Sequence, residues 1–314
     1  MCYLRPMTEL TSTAVTAAPT DPLVVLQDPD FARRFGGVAR LYGPRALERF
    51  SQARVCVVGL GGVGSWTVEA LARSAVGHLT LIDLDHVALS NMNRQIHALE
   101  TTLGQAKVQA CLERIALINP SCSVTAIDEF VSPENVARLL GGAGFDFVVD
   151  ASDDVKAKVA IAVFCRERGI ALVSIGAAGG QRDATRVRVA DLAHTQHEPL
   201  LARVRKRLRS QHGFSRNLKA RFGIAAVYSD EPVANPWQTA ATVDLQPVAD
   251  GAPPDRADSA GPSLDAPSRA AGGATGLNCA GFGSSVAVTA VFGMVAAGFV
   301  LEELARRLES AAGS

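Results

Sequence analysis

The sequence lacks any C-x-x-C pair. Its six cysteines, Cys2, Cys56, Cys111, Cys122, Cys165 and Cys279, stand apart, which argues against a thiolate zinc site. It lacks net charge as well: 31 Lys and Arg balance 31 Asp and Glu, so any surface that attracts polyanions has to be a local patch. Aromatics are few, at 5%, although 48% of the residues are hydrophobic; a sizeable core is available, built mainly from aliphatic side chains. There is no internal repeat. Residues 1–30 show no charged start followed by an apolar run, so the reduced cytoplasm is the expected compartment.

What is present is a strand–turn–helix signature. Arg54-Val55-Cys56-Val57-Val58 is a β-branched run. It ends in Gly59-Leu60-Gly61-Gly62-Val63-Gly64, where a helical pattern begins. Gly59 and Gly61 suit positive φ and close backbone approach, and Gly64 lets the helix pack on the strand. The helix N-terminus offers N–H groups and a positive dipole end to phosphate. His78 to Asp83 reads as a second strand whose final acid lies about 20 residues on, as a ribose-binding carboxylate does. The pattern predicts a nucleotide and fits NAD or FAD as well as ATP.

Further strands are predicted at Ser123–Ile127, Phe145–Asp150 and Ile170–Ile175, and a weaker one at Arg186–Val189. Helices are predicted from Phe31, at Val63–Arg73 and Gly104–Leu117, from Ser132-Pro133-Glu134 (Ser as N-cap, Pro first), and at Asp154–Arg168 and Glu198–Arg209. This alternation predicts an α/β fold with a doubly wound, mainly parallel, Rossmann-like sheet. The domain plan is an unstructured arm at 1–30, a nucleotide-binding domain at 31–190 and a basic segment at 191–235. A disordered Ala-, Pro-, Asp- and Gly-rich insertion follows at 236–276, then an apolar helical appendage at 277–314. Ser284 to Leu301 is nearly wholly apolar but slightly short of a membrane span. A buried or dimer-interface helix and a membrane-associated one are both compatible with it.

The loop after the second strand, Asp83-Leu84-Asp85-His86-Val87-Ala88-Leu89-Ser90-Asn91-Met92-Asn93-Arg94-Gln95, carries more polar chemistry than a dinucleotide needs. Arg94 can grip phosphate bidentately, while Lys107, expected on an open helix face, adds a point charge. Two cations imply a polyphosphate more highly charged than NAD. Asp150-Ala151-Ser152-Asp153-Asp154 ends a later strand at the same carboxyl edge, where open α/β sheets bind ligands. Asp153 is the expected magnesium ligand.

Gly59-x-Gly61-Gly62-x-Gly64, Asp83 with Asp85, Ser90-Asn91-x-Asn93-Arg94-Gln95, Lys107 and Asp150-x-x-Asp153 resemble the E1-like (ThiF/MoeB/HesA) adenylating enzymes. Those proteins use ATP and magnesium to adenylate a carboxylate. The resemblance implies that Gly62, Asp83, Asn91, Arg94, Lys107 and Asp153 contact ATP. It also implies a homodimer in which Arg34 or Arg40 reaches the partner's nucleotide. Arg94, Lys107 and Asp153 become the expected catalytic set. Gly59, Gly61, Gly64, Asp85 and Asn93 join the binding set. Arg34-Phe35-Gly36-Gly37, Asn93-Arg94-Gln95-Ile96-His97-Ala98 and Gly176-Ala177-Ala178-Gly179-Gly180-Gln181 are most similar to the branch that dehydrates threonylcarbamoyladenosine in tRNA. The members that activate sulfur-carrier proteins usually hold zinc with paired cysteines, which this chain lacks.

Arg203, Arg205, Lys206, Arg207, Arg209, Arg216, Lys219 and Arg221 occur with no acid among them, a concentrated basic patch suited to RNA. The leading expectation is therefore ATP-dependent cyclisation of a tRNA nucleoside through an acyl adenylate. Its rivals are adenylation of a sulfur-carrier C-terminus, with a cysteine-desulfurase-type partner, an NAD-dependent oxidoreductase, and a membrane-anchored scaffold. Cys279, in a glycine-rich loop, is a weak candidate nucleophile.

Overall fold

The β-branched runs pair into one sheet in a computed structural model that describes residues 28–232 and 283–312. The expected arm up to residue 27, the 236–276 insertion and Cys279 lie outside the described residues. Seven strands line up in the order β3-β2-β1-β4-β5-β7-β6. They are β1 (Arg54–Val58), β2 (His78–Ile82), β3 (Ser123–Ile127), β4 (Phe147–Asp150), β5 (Ala171–Ile175), β6 (Val187–Asp191) and β7 (Ala225–Ser229). All adjacent pairs run parallel except β6 with β7. The expected doubly wound sheet is present. β7 was not expected: it arises within the basic segment and inserts between β5 and β6, so that segment contributes a strand to the sheet of the preceding domain.

Strand alternation sends successive side chains to opposite layers. Val55, Val57, Leu79, Leu81, Phe147 and Val149 face α2 (Pro44–Gln52), α3 (Gly64–Arg73), α4 (Lys107–Ile118) and the C-terminal helix. Cys56, Val58, Ile82 and Val148 face α5 (Val136–Leu140), α6 (Val155–Arg168) and α7 (Pro199–Gln211). α1 (Pro29–Tyr42) opens the described chain with Asp28 as N-cap and Pro29 in its first turn. Cys56, Cys111, Cys122 and Cys165 are all buried. Burial pushes the thiols of Cys111, Cys122 and Cys165 up to about 12, so they stay protonated and serve as small core residues.

Ser132 Oγ accepts the Glu134 N–H (3.3 Å) and its carbonyl the Val136 N–H (3.0 Å), so Ser132 caps the entry turn as expected, but regular helix begins later, after Asn135. Asn135 accepts from the Ser132 N–H through Oδ1 (2.7 Å) and donates to the Phe130 carbonyl (2.8 Å). That side-chain bonding holds 130–135 as a turn and delays α5 to Val136.

α8 (Val286–Ala312) crosses α3 and α2. Its span Val286–Arg307 is long and apolar enough to cross a membrane by length and composition. Yet Val288, Phe292, Ala296, Val300 and Leu304, one helical face, are buried in the core. Gly293 sits at the crossing. A Cβ there would lie 2.5 Å from the Val63 carbonyl oxygen and 2.8 Å from Trp66 Cβ, and Thr67 Oγ1 donates to the Gly293 carbonyl at 3.2 Å. Gly293→Ala should therefore destabilise by about 1–3 kcal/mol through overpacking. Gly298→Ala meets nothing within 4 Å and should stabilise slightly, through helix propensity. Urea unfolding of the two variants checks this; equal midpoints would show that the crossing is not tight.

Candidate nucleotide site

At the switch point of the sheet, where the chain leaves β1 in one direction and β4 in the other, the carboxyl ends of the strands enclose a cavity of about 630 Å³. Gly59, at φ +85°, turns the chain out of β1, and a Cβ there would lie 2.8 Å from the Ala151 carbonyl oxygen. A Cβ on Gly64 would lie 1.8 Å from the Gly59 carbonyl oxygen. Gly64 is thus a packing glycine that does not line the cavity, whereas Gly59, Gly61 and Gly62 do. Beside Gly62, the Arg94 stem comes within 3.1 Å of where a Cβ would stand, so side chain and glycine turn share one wall.

Asp83 is buried at the end of β2. Its Oδ2 accepts the Leu60 N–H (2.5 Å) and its Oδ1 the Asp85 N–H (2.8 Å). Burial pushes its carboxyl up, while the Lys107 charge and those two N–H groups pull it back. Asp83 therefore holds the glycine turn in shape and still presents lone pairs to the cavity. Lys107 departs from expectation: it is only 5% exposed, because its N–H donates to the Asp85 carbonyl (2.9 Å) and folds the start of α4 over the loop. Its ammonium pairs with Asp85 Oδ2 at 2.7 Å and borders the cavity.

Arg94 donates to the Ser90 carbonyl (2.6 Å) and to Asn93 Oδ1 (2.9 Å), and its own carbonyl accepts from Trp66 Nε1. Asn91 lines the cavity and accepts the Ala88 N–H. Asn93 does not line it. It bonds the Ser284 carbonyl at 2.9 Å and so ties the loop to the start of α8. Asp153 lines the cavity; among the described residues its carboxylate has no hydrogen-bond or ion-pair partner. Asp154 caps α6. Beneath them the fully buried Asp150 pairs with the fully buried Lys158 at 3.1 Å and accepts from Ser174 Oγ and Ser152 Oγ.

Three contributions were not expected. Phe130, 59% exposed, stands at the cavity edge. Gly176–Gly179 form another wall, and Thr289 of α8 reaches in. The residue behind the Gly176 wall is Glu198, whose Oε1 accepts the Ala177 N–H at 2.9 Å. Only the glycine-rich Gly176–Gln181 string hinted at this wall in the sequence.

A model of the ThiF family matches residues 34–308. The chain belongs to the ThiF family. It is 43% identical over 282 residues to a tRNA threonylcarbamoyladenosine dehydratase of Escherichia coli, covering 90% of this chain and 96% of that protein. It is 42% identical to the Haemophilus influenzae protein of the same name, covering 90% and 98%. A crystal structure of the E. coli dehydratase in complex with ATP superposes with a TM-score of 0.74 at 40% identity, over 90% of this chain and 98% of that one.

Behind the cavity of this ThiF-family chain lies His97, buried, with Nδ1 3.5 Å from Cys111 Sγ and Nε2 without a partner among the described residues. Burial, then the Lys107 and Arg114 charges, lowers its pKa to about 4 from 6.5. The folded form thus carries neutral His97 down to about pH 4, while the unfolded chain takes its proton near 6.5. Stability contributed by the neutral ring is complete above that window and falls as the pH drops through it. From pH 7.5 to 5 the wild type should lose about 2 kcal/mol more than His97→Gln. Urea unfolding at the two pH values measures it; equal losses would place the titration elsewhere.

Proposed function

We propose that this chain is an ATP-dependent tRNA threonylcarbamoyladenosine dehydratase. The observation that carries the reading is the end-to-end similarity to a dehydratase of that name, at 43% identity over 96% of its length. The cavity supports it chemically. The triphosphate lies over Gly59, Gly61 and Gly62, between Arg94 and the buried Lys107, and the ribose hydroxyls meet Asp83. A desolvated ammonium acts more strongly than one in water.

The threonyl carboxylate of the modified adenosine attacks the α-phosphorus, and the α–β bridging P–O bond breaks. Pyrophosphate leaves. A nucleophilic atom of the same modification then attacks the activated acyl carbon, its proton departs, and AMP is expelled with the former carboxylate oxygen. The nucleoside has lost the elements of water. Lys107 and Arg94 stabilise the charge that grows on the phosphates in the first step.

Magnesium fits the donors present. No group of three or more His, Cys, Asp or Glu gathers among the described residues, and magnesium is commonly held by one carboxylate plus phosphates rather than by a protein cage. Asp153, without a protein partner among the described residues, would supply the carboxylate, and the ion would neutralise phosphate charge. A homodimer belongs to the same reading. Arg34 or Arg40, both on α1, is the arginine that crosses.

AMP release should be seen with threonylcarbamoylated tRNA and not with unmodified tRNA or a sulfur-carrier protein. Release driven by the carrier protein would overturn the reading. Lys107→Met should lower the rate about 100-fold. Because Lys107 is buried, thermal melting has to accompany the assay. A fully folded variant with wild-type turnover would remove Lys107 from the reaction.

A further inference from the structure

The cations of α7 divide into two sets. Arg205 is half-buried and donates to Thr195 Oγ1. Arg209 donates to the Ser215 carbonyl (3.2 Å) and the Ala193 carbonyl (3.4 Å), and lies 5.1 Å from the Phe222 ring centroid. These two pin neighbouring loops. Arg203, Lys206 and Arg207, by contrast, have no hydrogen-bond or ion-pair partner among the described residues. Their i, i+3, i+4 spacing places them on one helical face, with Ser210 one turn further on. That face and the start of α6, with Lys156, Asp153 and Asp154, enclose a groove of about 490 Å³. Asp153 and Asp154 also line the nucleotide cavity, so groove and cavity share an edge.

The distance between them is held. Glu198, 3% exposed, caps α7 by accepting the Leu200 N–H and the Leu201 N–H, and the same carboxylate accepts the Ala177 N–H of the cavity wall. The groove is thereby fixed in register with the cavity.

We infer that this groove receives the RNA backbone phosphates next to the nucleoside that enters the cavity, an inference that rests on the tRNA reading above. Three unpaired cations on one face match a run of phosphates. The backbone, charged at every nucleotide, stays on the cations of α7, and the modified nucleoside, with its single carboxylate, crosses the shared edge towards Lys107 and Arg94 in the cavity. The pinned cations, Arg205 and Arg209, take no part.

The test is binding and turnover of threonylcarbamoylated tRNA by Arg203→Gln/Lys206→Gln/Arg207→Gln, beside Arg205→Gln/Arg209→Gln. In the triple variant the slope of log affinity against log salt should flatten by about 2–3, at 0.7–0.9 per lost contact. The KM for tRNA should rise and the KM for ATP should hold. The double variant should melt lower and keep the wild-type salt slope. A triple variant with wild-type slope and KM overturns the groove, as does a slope lost mainly in the double variant. If wild-type protein releases no AMP with the modified tRNA, the reaction assignment falls instead; should the triple variant then lose affinity for a protein acceptor, the RNA inference falls with it.

Discussion

The structure depends on one close approach. The Gly59 carbonyl and the Gly64 Cα stand so near that a methyl group on Gly64 would overlap the oxygen, at 1.8 Å. Helix α3 can start directly over the end of β1 only because that position carries no side chain. The same turn brings Gly59 against Ala151 at the end of β4. The β1 and β4 edges are thus locked together at the point where the strand order reverses. A cavity opens there because the following elements depart to opposite sides of the sheet. α8 reinforces the arrangement from outside, pressing Gly293 onto the Val63 carbonyl.

The far edge of the cavity is held by charge rather than by contact. Asp150 and Lys158 are both wholly buried. Such a pair is costly to desolvate, and it persists only when hydrogen bonds complete it. Here Ser174 Oγ and Ser152 Oγ bond the carboxylate, and Lys158 also donates to the Asp150 carbonyl. The consequence is local: Ser152 is drawn down onto Asp150, while Asp153 stands at the shared edge of cavity and groove, unpaired among the described residues. The buried pair thereby acts on the site without touching it.

Much of this was legible in the residues, for reasons that differ by element. β1, β2 and the glycine turn were readable because their chemistry is local: β-branched runs, then Gly59 and Gly64, positions only glycine tolerates, whereas Gly61, against expectation, has no positive φ and open space where a Cβ would stand. Asp83, Asp85, Arg94 and Lys107 were readable as types at a sheet edge, but the burial of Lys107 was not. It follows from the pairing of its backbone with Asp85, which spacing does not reveal. β7 went unseen because Ala225–Ser229 is short and follows a run of cations, and its place between β5 and β6 is set by tertiary pairing. α5 starts later than Ser132 because Asn135, which bonds both the Ser132 N–H and the Phe130 carbonyl, holds the entry turn out of regular helix. Glu198 was invisible as a site residue because its partner, Ala177, lies 21 positions away.

Glu198 explains how a chain with no net charge carries a basic helix beside a glycine-walled cavity. Its carboxylate sits at the N-terminus of α7, where the helix dipole favours an anion, and the cations follow towards the C-terminal end, where it favours them. The helix therefore separates charge along its own length. Its acidic end is buried in backbone N–H groups of the cavity wall, so none of that negative charge faces the groove. The positive end is left to the surface. Arg205 and Arg209 spend their charge on loop carbonyls and a hydroxyl, and Arg203, Lys206 and Arg207 retain theirs. Sequence counts all five alike. The structure distinguishes them by one physical criterion, whether a protein oxygen already occupies the guanidinium or ammonium, and that criterion assigns the groove.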